Sequence, residues 1–506
     1  MRGRWVLIVV LLVLVAVLFA AGVVSWMGQR EWVATQRELV GKGEKLSLKE
    51  MAPLVVEDER NFFGDSMWKE IVETRQGKAV EEGTENFVPA VPKDHQQLEA
   101  LNAKLPPEEV AALKKKWPRF ADMDFSLPRC KFLSKLMVPF RTHDEAWRKD
   151  CGGLIMDVLK PLEPLLKRVA ALLERPEARF PLVYDEGLYS SEPHMMMLLV
   201  LGQVFLARAR AELWLGRHEA AARDVGAMMA VSHTLRNDLF MISYLVRVSV
   251  FGMAVSVIDQ GIAEHGWSEG DLVGLDRMFK SEDFRPGWLQ ALRGERGGFN
   301  YQLEGYHHGA YAKYEAMDQV VKRMTGEGGE SGWRYGLKRI GMRIYIPVLS
   351  RRDQAQHNRR VQGMIDGASE SWRGVNANAA YVWPVEFNRN APWAANRYSK
   401  QAWTAVSDVA RKAAYAQDRV AQARIAIALE RYYLDHKEYP DSLAALPPKY
   451  LAELPRQILN EEPMHYRRTG KGAFELWSNG WNGVDDGAKP GGMPGSAEGD
   501  WVWGKA

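Results

Sequence analysis

Cysteine is scarce: 506 residues hold two, Cys130 and Cys151. In a reducing compartment the pair reads as buried thiols. In an exported chain it permits one disulfide, and closing a loop of this length contributes about 3 kcal/mol. Neither cysteine lies in a pattern that supports a catalytic thiol. An excess of one charge is also lacking, with 67 Lys and Arg against 64 Asp and Glu. A nucleic-acid surface shows a concentrated basic excess, so no nucleic acid is expected as a partner. Catalytic signatures are missing too. There is no Gly-x-Ser-x-Gly elbow, phosphate loop, helical His-Glu-x-x-His or dinucleotide fingerprint. No catalytic or cofactor-binding residue is assigned on this basis.

The 11 histidines do not supply a metal site either. Glu304 and His308 stand four apart and share a face if helical, but a di-iron site needs a second such helix. The other Glu-x-x-His, Glu462 to His465, contains Pro463 and reads as strand. His307 and His308 are therefore expected to be polar or hydrogen-bonded surface, and His194 and His233 to sit at the edge of a helical core.

One long apolar run is present. Residues 5–27 read WVLIVVLLVLVAVLFAAGVVSWM, without a charged side chain. A helix of that length, at 1.5 Å per residue, spans the roughly 30 Å hydrocarbon core of a bilayer. Trp5 and Trp26 stand near its ends, where amphipathic rings favour the interface. Arg2 and Arg4 precede it, so the positive-inside rule keeps residues 1–4 cytoplasmic and sends the rest across. A cleaved signal peptide, with Ala20, Ala21 and Gly22 as the cleavage site, is the competing reading. The apolar core of such a peptide is usually about 7–15 residues, shorter than this one. The expectation is a single-pass protein of a bacterial-type inner membrane, its bulk periplasmic or extracellular. No later segment is expected to be a second span; residues 195–206 are too short and run into Arg208 and Arg210.

Beyond the anchor the pattern is mainly α. Residues 28–185 are mixed and mostly helical. Pro106, Pro107, Glu108 and Glu109 suit a helix start, and Val158, Leu159, Leu162, Leu165, Leu166, Val169, Leu172 and Leu173 predict one amphipathic helix over 157–174. Residues 186–325 form a helical scaffold, with a capping-box-like start at Ser268 to Asp271. Within it, Leu213 to Ala221 resembles the turn between the helices of a tetratricopeptide repeat, Gly216 and Ala221 matching the glycine and close-packing alanine of that family. The resemblance covers one repeat, where a stack needs at least three. Residues 326–398 read as linker and irregular chain: 325–332 are glycine-rich, 335–346 fit helix or strand equally, and 383–393 carry Pro384 and Pro392. Val409, Ala413, Ala416, Val420, Ala423, Ile427 and Leu434 then mark a long helix over 399–436.

The C-terminal end carries a family-like order. A helix through Tyr432 and Tyr433 leads to Glu438, Tyr439 and Pro440, with Pro440 expected to stop the helix. Strand-type segments follow at 464–466 and 474–478, joined by a turn at Thr469 to Gly472. Gly480 to Gly487 then form an acidic, glycine-rich loop. This order resembles the globular domain of the major pseudopilins of type II secretion, over about 85 of the 506 residues. The resemblance implies a small α+β domain with a short antiparallel sheet. It also implies a calcium ion, for which the matching positions are Asn482, Asp485, Asp486, Asp500 and the carbonyl of Val484; hard cations take six to eight oxygens. The apolar run lacks the glutamate and processing motif of a pilin assembly helix, so the module reads as one reused for binding or capping. The expected function is an envelope-anchored scaffold or interaction protein linked to secretion, pilus or envelope assembly, with an unidentified envelope protein as partner. An envelope enzyme with a site in the helical region, or a cell-wall or carbohydrate binder suggested by the 18 tryptophans, are the alternatives.

Overall fold

The computed structural model describes residues 2–68, 101, 103–137, 144–182, 184, 193–308, 333–375, 397–492 and 496–504. The glycine-rich stretch at 325–332 and the proline-containing stretch at 383–393 lie outside them.

Helix α1 runs over Arg2–Gly41 and changes character once along its length. Over residues 5–20 every side chain is exposed, Leu7 at 71% and Phe19 at 75%, and only Ala21, Val24 and Ser25 are partly covered before residue 28. From Gly28 onward one stripe is buried, formed by Gly28, Trp32, Thr35 and Leu39 at spacings of four, three and four. A helix apolar all round suits lipid, whereas a single apolar stripe suits packing on protein. Helix α1, long and apolar enough to cross a membrane, therefore does not end with the apolar run at residue 27 but continues as a stem with one buried stripe.

A short helix α2 (Leu48–Met51) follows, closed by a capping box between Ser47 and Glu50. Helices α3 (Pro107–Lys116), α4 (Arg129–Met137), α5 (Glu145–Leu159) and α6 (Glu163–Leu173) build the next layer. The helix expected over 157–174 is two helices joined by a 3-10 turn at Lys160–Leu162. Pro161 and Pro164 explain the break, since each removes a backbone donor from the helical ladder. The option of a disulfide is not realised. Cys130 and Cys151 are free and buried, the Cys130 thiol donating to the Leu101 carbonyl and the Cys151 thiol lying 3.9 Å from that of Leu136.

The scaffold is α7 (Pro193–Trp214), α8 (His218–His233), α9 (Met241–Ala263) and α10 (Glu269–Lys280). Gly216 at φ +72° turns the chain between α7 and α8, with the Arg217 N–H reaching back to the Glu212 carbonyl at 2.8 Å. Such a left-handed residue caps a helix with little strain only as glycine. Ala221 is fully buried in this hairpin. Ser268 and Asp271 form the expected capping box of α10. The expectation that no later segment qualifies as a span needs correction. Helix α9 is long and apolar enough by composition, but 61% of its most apolar window is buried. It packs against α7 and α8, and also against the long helix α13 introduced below. It is a core helix.

Helices α11 (Arg285–His307) and α12 (Trp333–Glu370) form the remaining body. The reading of 326–398 as linker is corrected here, because 333–370 is one helix. It packs on the α1 stem and on α11. Helix α13 spans Arg397–His436 and leads into a three-stranded antiparallel sheet of β1 (His465–Gly470), β2 (Ala473–Ser478) and β3 (Trp501–Val502), in that order. Helix α13 ends three residues earlier than Pro440 dictates. Lys437, at φ +59°, turns the chain and its N–H caps the Tyr433 carbonyl at 2.7 Å.

Candidate functional site

The α1 stem is held in a joint made mostly of polar groups. Helices α1 and α12 run parallel. Ser25 Oγ donates to the Pro347 carbonyl at 2.6 Å, Arg359 pairs with Glu31 at 2.9 Å, and Lys42 with Asp366 at 3.6 Å. A side chain on Gly28 would put its Cβ 3.1 Å from the Arg352 backbone nitrogen, so this close approach of the helices favours glycine.

Helices α11 and α12 meet antiparallel through two polar stripes of four-residue spacing. Arg296 donates to Gln362 at 2.7 Å, and Asn358 to Asn300 at 2.7 Å. Gln354 donates to Asn300 at 3.2 Å, Arg351 holds Glu304, and Ser350 Oγ lies 2.8 Å from His307 Nε2. Residues four apart share a helix face, which brings these partners into register rung by rung. The loop after α1 closes one end of the ladder. Glu44 accepts from Arg293 Nε at 2.9 Å and from the fully buried Arg296. Burial works against ionised Glu44, yet the hydrogen bonds from Arg293 and Arg296 outweigh it and hold the carboxyl at about 2. His357, stacked on Phe299 at 3.8 Å, is pushed down to about 3 by burial and stays neutral. Most donors and acceptors of the ladder answer one another, while the buried Nε of Arg296 meets no acceptor among the described residues. Its chemistry is clamping.

A second joint seats the C-terminal module. Arg431 grips Glu269 on α10, and Arg424 pairs with Asp276 at 3.0 Å. Glu430, fully buried, accepts from Tyr439 at 2.6 Å and lies 3.0 Å from His265 Nδ1, whose ring stacks on Tyr433 at 3.9 Å. Farther back on α13, Asp418 accepts from Ser478 at 2.6 Å and Gln422 at 2.9 Å. Gln422 also donates to the Trp501 carbonyl, and Arg419 to that of Val502. Burial raises the Asp418 carboxyl to about 6 against these hydrogen bonds. Helix α13 is thus shared between scaffold and sheet.

The acidic loop lies at the far side of the sheet. Asp500, almost fully buried, accepts from the N–H of Asp486 at 3.1 Å with one oxygen and from that of Ala488 at 2.8 Å with the other. Desolvation raises its pKa, and the nearby charges of Asp485 and Asp486 add to the rise. Asp485 accepts from the Trp477 indole at 3.0 Å and from the Gly487 N–H, which lower its pKa. Asn482 accepts from the Val484 N–H and donates to Asp486. The five residues matched to calcium positions are neighbours here, but several of their oxygens are turned onto the loop's own N–H groups. Among the described residues, no group of three His, Cys, Asp or Glu side chains is placed to hold a metal ion.

The remaining sites from the sequence resolve into structure. His194 is fully buried, stacked on Phe180 at 4.0 Å. His233 meets the buried Glu282, which also holds Arg247. Glu304 and His307 belong to the ladder. Burial raises both cysteines to about 12, which keeps them as thiols. The ladder itself was not expected. Its signal was the four-residue recurrence of Arg296, Asn300 and Glu304 against Ser350, Gln354, Asn358 and Gln362.

No family model matches the chain, and neither a curated protein nor a solved structure matches it.

Proposed function

We propose that the chain is a membrane-anchored extracytoplasmic scaffold or interaction protein. On this reading α1 crosses the bilayer with Arg2 and Arg4 on the cytoplasmic side, as the positive-inside rule requires. The helical body, clamped onto the α1 stem, holds the C-terminal module at a set height for an envelope partner. The observation that carries it is the continuity of α1, where an exposed apolar run passes without a break into a stem with one buried face. A cleaved leader has no reason to continue into the core of the protein it leaves.

The link to secretion, pilus or envelope assembly rests on the C-terminal order of long helix, antiparallel sheet and acidic loop, which resembles a major pseudopilin. Protease added to spheroplasts is expected to digest the body while intact cells protect it, and crosslinking in native membranes is expected to recover one envelope protein reproducibly. Protection in spheroplasts would overturn the topology. Reproducible absence of any crosslinked protein would overturn the scaffold role.

Calcium at the acidic loop belongs to the same reading. Its support is the mutual repulsion of Asp485, Asp486 and Asp500, which a cation would relieve; it requires the Asp500 oxygens to leave their amides. Melting the full chain with calcium and with chelator decides this, and identical melting removes calcium.

A further inference from the structure

Where the apolar run of α1 ends, two helices come to one level. Ser25 Oγ donates to the Pro347 carbonyl at 2.6 Å, and Gly28 lies against the backbone nitrogen of Arg352. Arg352 is therefore level with Gly28, within one helical turn of Ser25. Its side chain is 57% exposed. Two residues beyond Gly28 stands Arg30, whose guanidinium lies 4.8 Å over the ring of Trp26. Trp26 is itself 59% exposed. At 3.6 residues per turn, Arg30 is about 200° round α1 from Gly28, on the side away from α12. Helix α1 thus passes between two exposed arginines just as its apolar run gives out.

The acids at this level are committed to protein. Arg359 holds Glu31 at 2.9 Å, and Arg351 holds Glu304. Asp353 is fully buried. Arg352 approaches Glu31 only to 3.8 Å, and among the described residues no acid pairs with Arg30. A guanidinium held over an aromatic ring keeps its N–H donors for oxygen acceptors, and its planar fork matches phosphate. An indole at the end of an apolar run favours the boundary between membrane and water.

We infer that this level is a seat for phospholipid head groups. Trp26 lies at the boundary of the leaflet where α1 emerges, and Arg30 and Arg352 meet lipid phosphates on either side of the helix, favouring anionic phospholipid. The occupant is a lipid and not a soluble anion, because the uncovered apolar surface of α1 starts directly beneath the two cations. A molecule that fills the seat must offer phosphate above and acyl chain below. The seat fixes the height at which the body stands on the bilayer. The inference rests on the reading of α1 as the anchor.

The test places a fluorophore at Gln29→Cys, an exposed position beside Arg30. The full chain is reconstituted in nanodiscs of phosphatidylcholine and phosphatidylglycerol in equal parts, with one lipid or the other brominated on the acyl chain near the head group. Cys130 and Cys151 are buried, so the parent chain serves as the labelling blank. Brominated phosphatidylglycerol is expected to quench more than brominated phosphatidylcholine, with a preference of roughly five-fold for each arginine. Arg30→Gln with Arg352→Gln is expected to bring the two lipids to parity, and Arg30→Lys with Arg352→Lys to keep most of the preference. Equal quenching in the parent overturns the inference. So does a preference that persists in the glutamine variant, which would assign it to other cations. Alkaline carbonate extraction separates the two readings. If the chain is washed off, the anchor itself fails; if it stays while the two lipids quench equally, the head-group seat alone fails.

Discussion

Two helical interfaces hold this molecule together by different means. Between α7, α8 and α9 the contact is mainly apolar, with Leu201, Val204, Phe205, Val225, Met228, Val250 and Phe251 all buried beside the Arg208–Asp224 ion pair. Between α11 and α12 the buried groups include Arg296, Asn300, Gln354, Asn358 and Gln362 beside apolar ones such as Phe299, Leu303 and Val361. The apolar contact is non-directional and roughly proportional to buried area. The polar one demands that each donor meet its acceptor, since an orphaned buried group costs its full desolvation. The first gives stability and the second gives register. Register is what a fixed seating of α12 on the body requires.

The largest effects should come from breaking each interface once. Phe251→Ala is expected to cost about 3–5 kcal/mol by opening a cavity. Arg296→Ala is expected to cost about as much, because Glu44 loses one of its buried charge partners. Urea denaturation in detergent micelles measures both. The contrast lies in rescue. Glu44→Gln is expected to restore part of the Arg296→Ala loss, and no single partner change does so for Phe251→Ala. Simple additivity in the polar pair would mean that the two groups do not work as a unit.

Acid probes the polar side alone. The folded pKa of Glu44 is depressed to about 2 from an ordinary value of 4.5. Its contribution is therefore fully present above the unfolded value and is lost as pH falls through the folded one. The stability gap between the parent and Glu44→Gln should shrink by about 3 kcal/mol across that window.

The module joint gives the opposite sign. Asp418 is raised to about 6 from 3.8, so the folded state binds more protons between those values and stability falls as pH rises through them. Asp418→Asn is expected to flatten this decline, of about 2–3 kcal/mol, in melts compared at pH 4 and pH 6. An unchanged slope would mean that another group produces it. The smallest effect should be Ser350→Ala at the end of the ladder, about 1 kcal/mol for a net hydrogen bond, read as a small shift in the urea midpoint.

The same contrast explains which parts of the fold could be read directly. The α1 run, the scaffold helices and the β1–β2 hairpin announce themselves through apolar periodicity or turn residues. Helix α12 does not, because the face it buries carries Ser350, Gln354, Asn358 and Gln362, and a rule that equates buried with apolar passes over them. The stem was missed for a related reason: Gly28, Trp32, Thr35 and Leu39 form too mixed a stripe to extend a run of valines and leucines. At the C-terminal end the acidic residues were legible as a loop. That Asp500 would brace it depends on backbone amides, which composition does not reveal.

Hydrogen exchange of the full chain in lipid nanodiscs tests the central claim, that α1 is a strut built into the body and not a tether. Amides of residues 28–41 should exchange as slowly as those of α9 and together with those of 347–366. Exchange of the stem many-fold faster than α9, at the rate of an isolated solvated helix, would contradict the account.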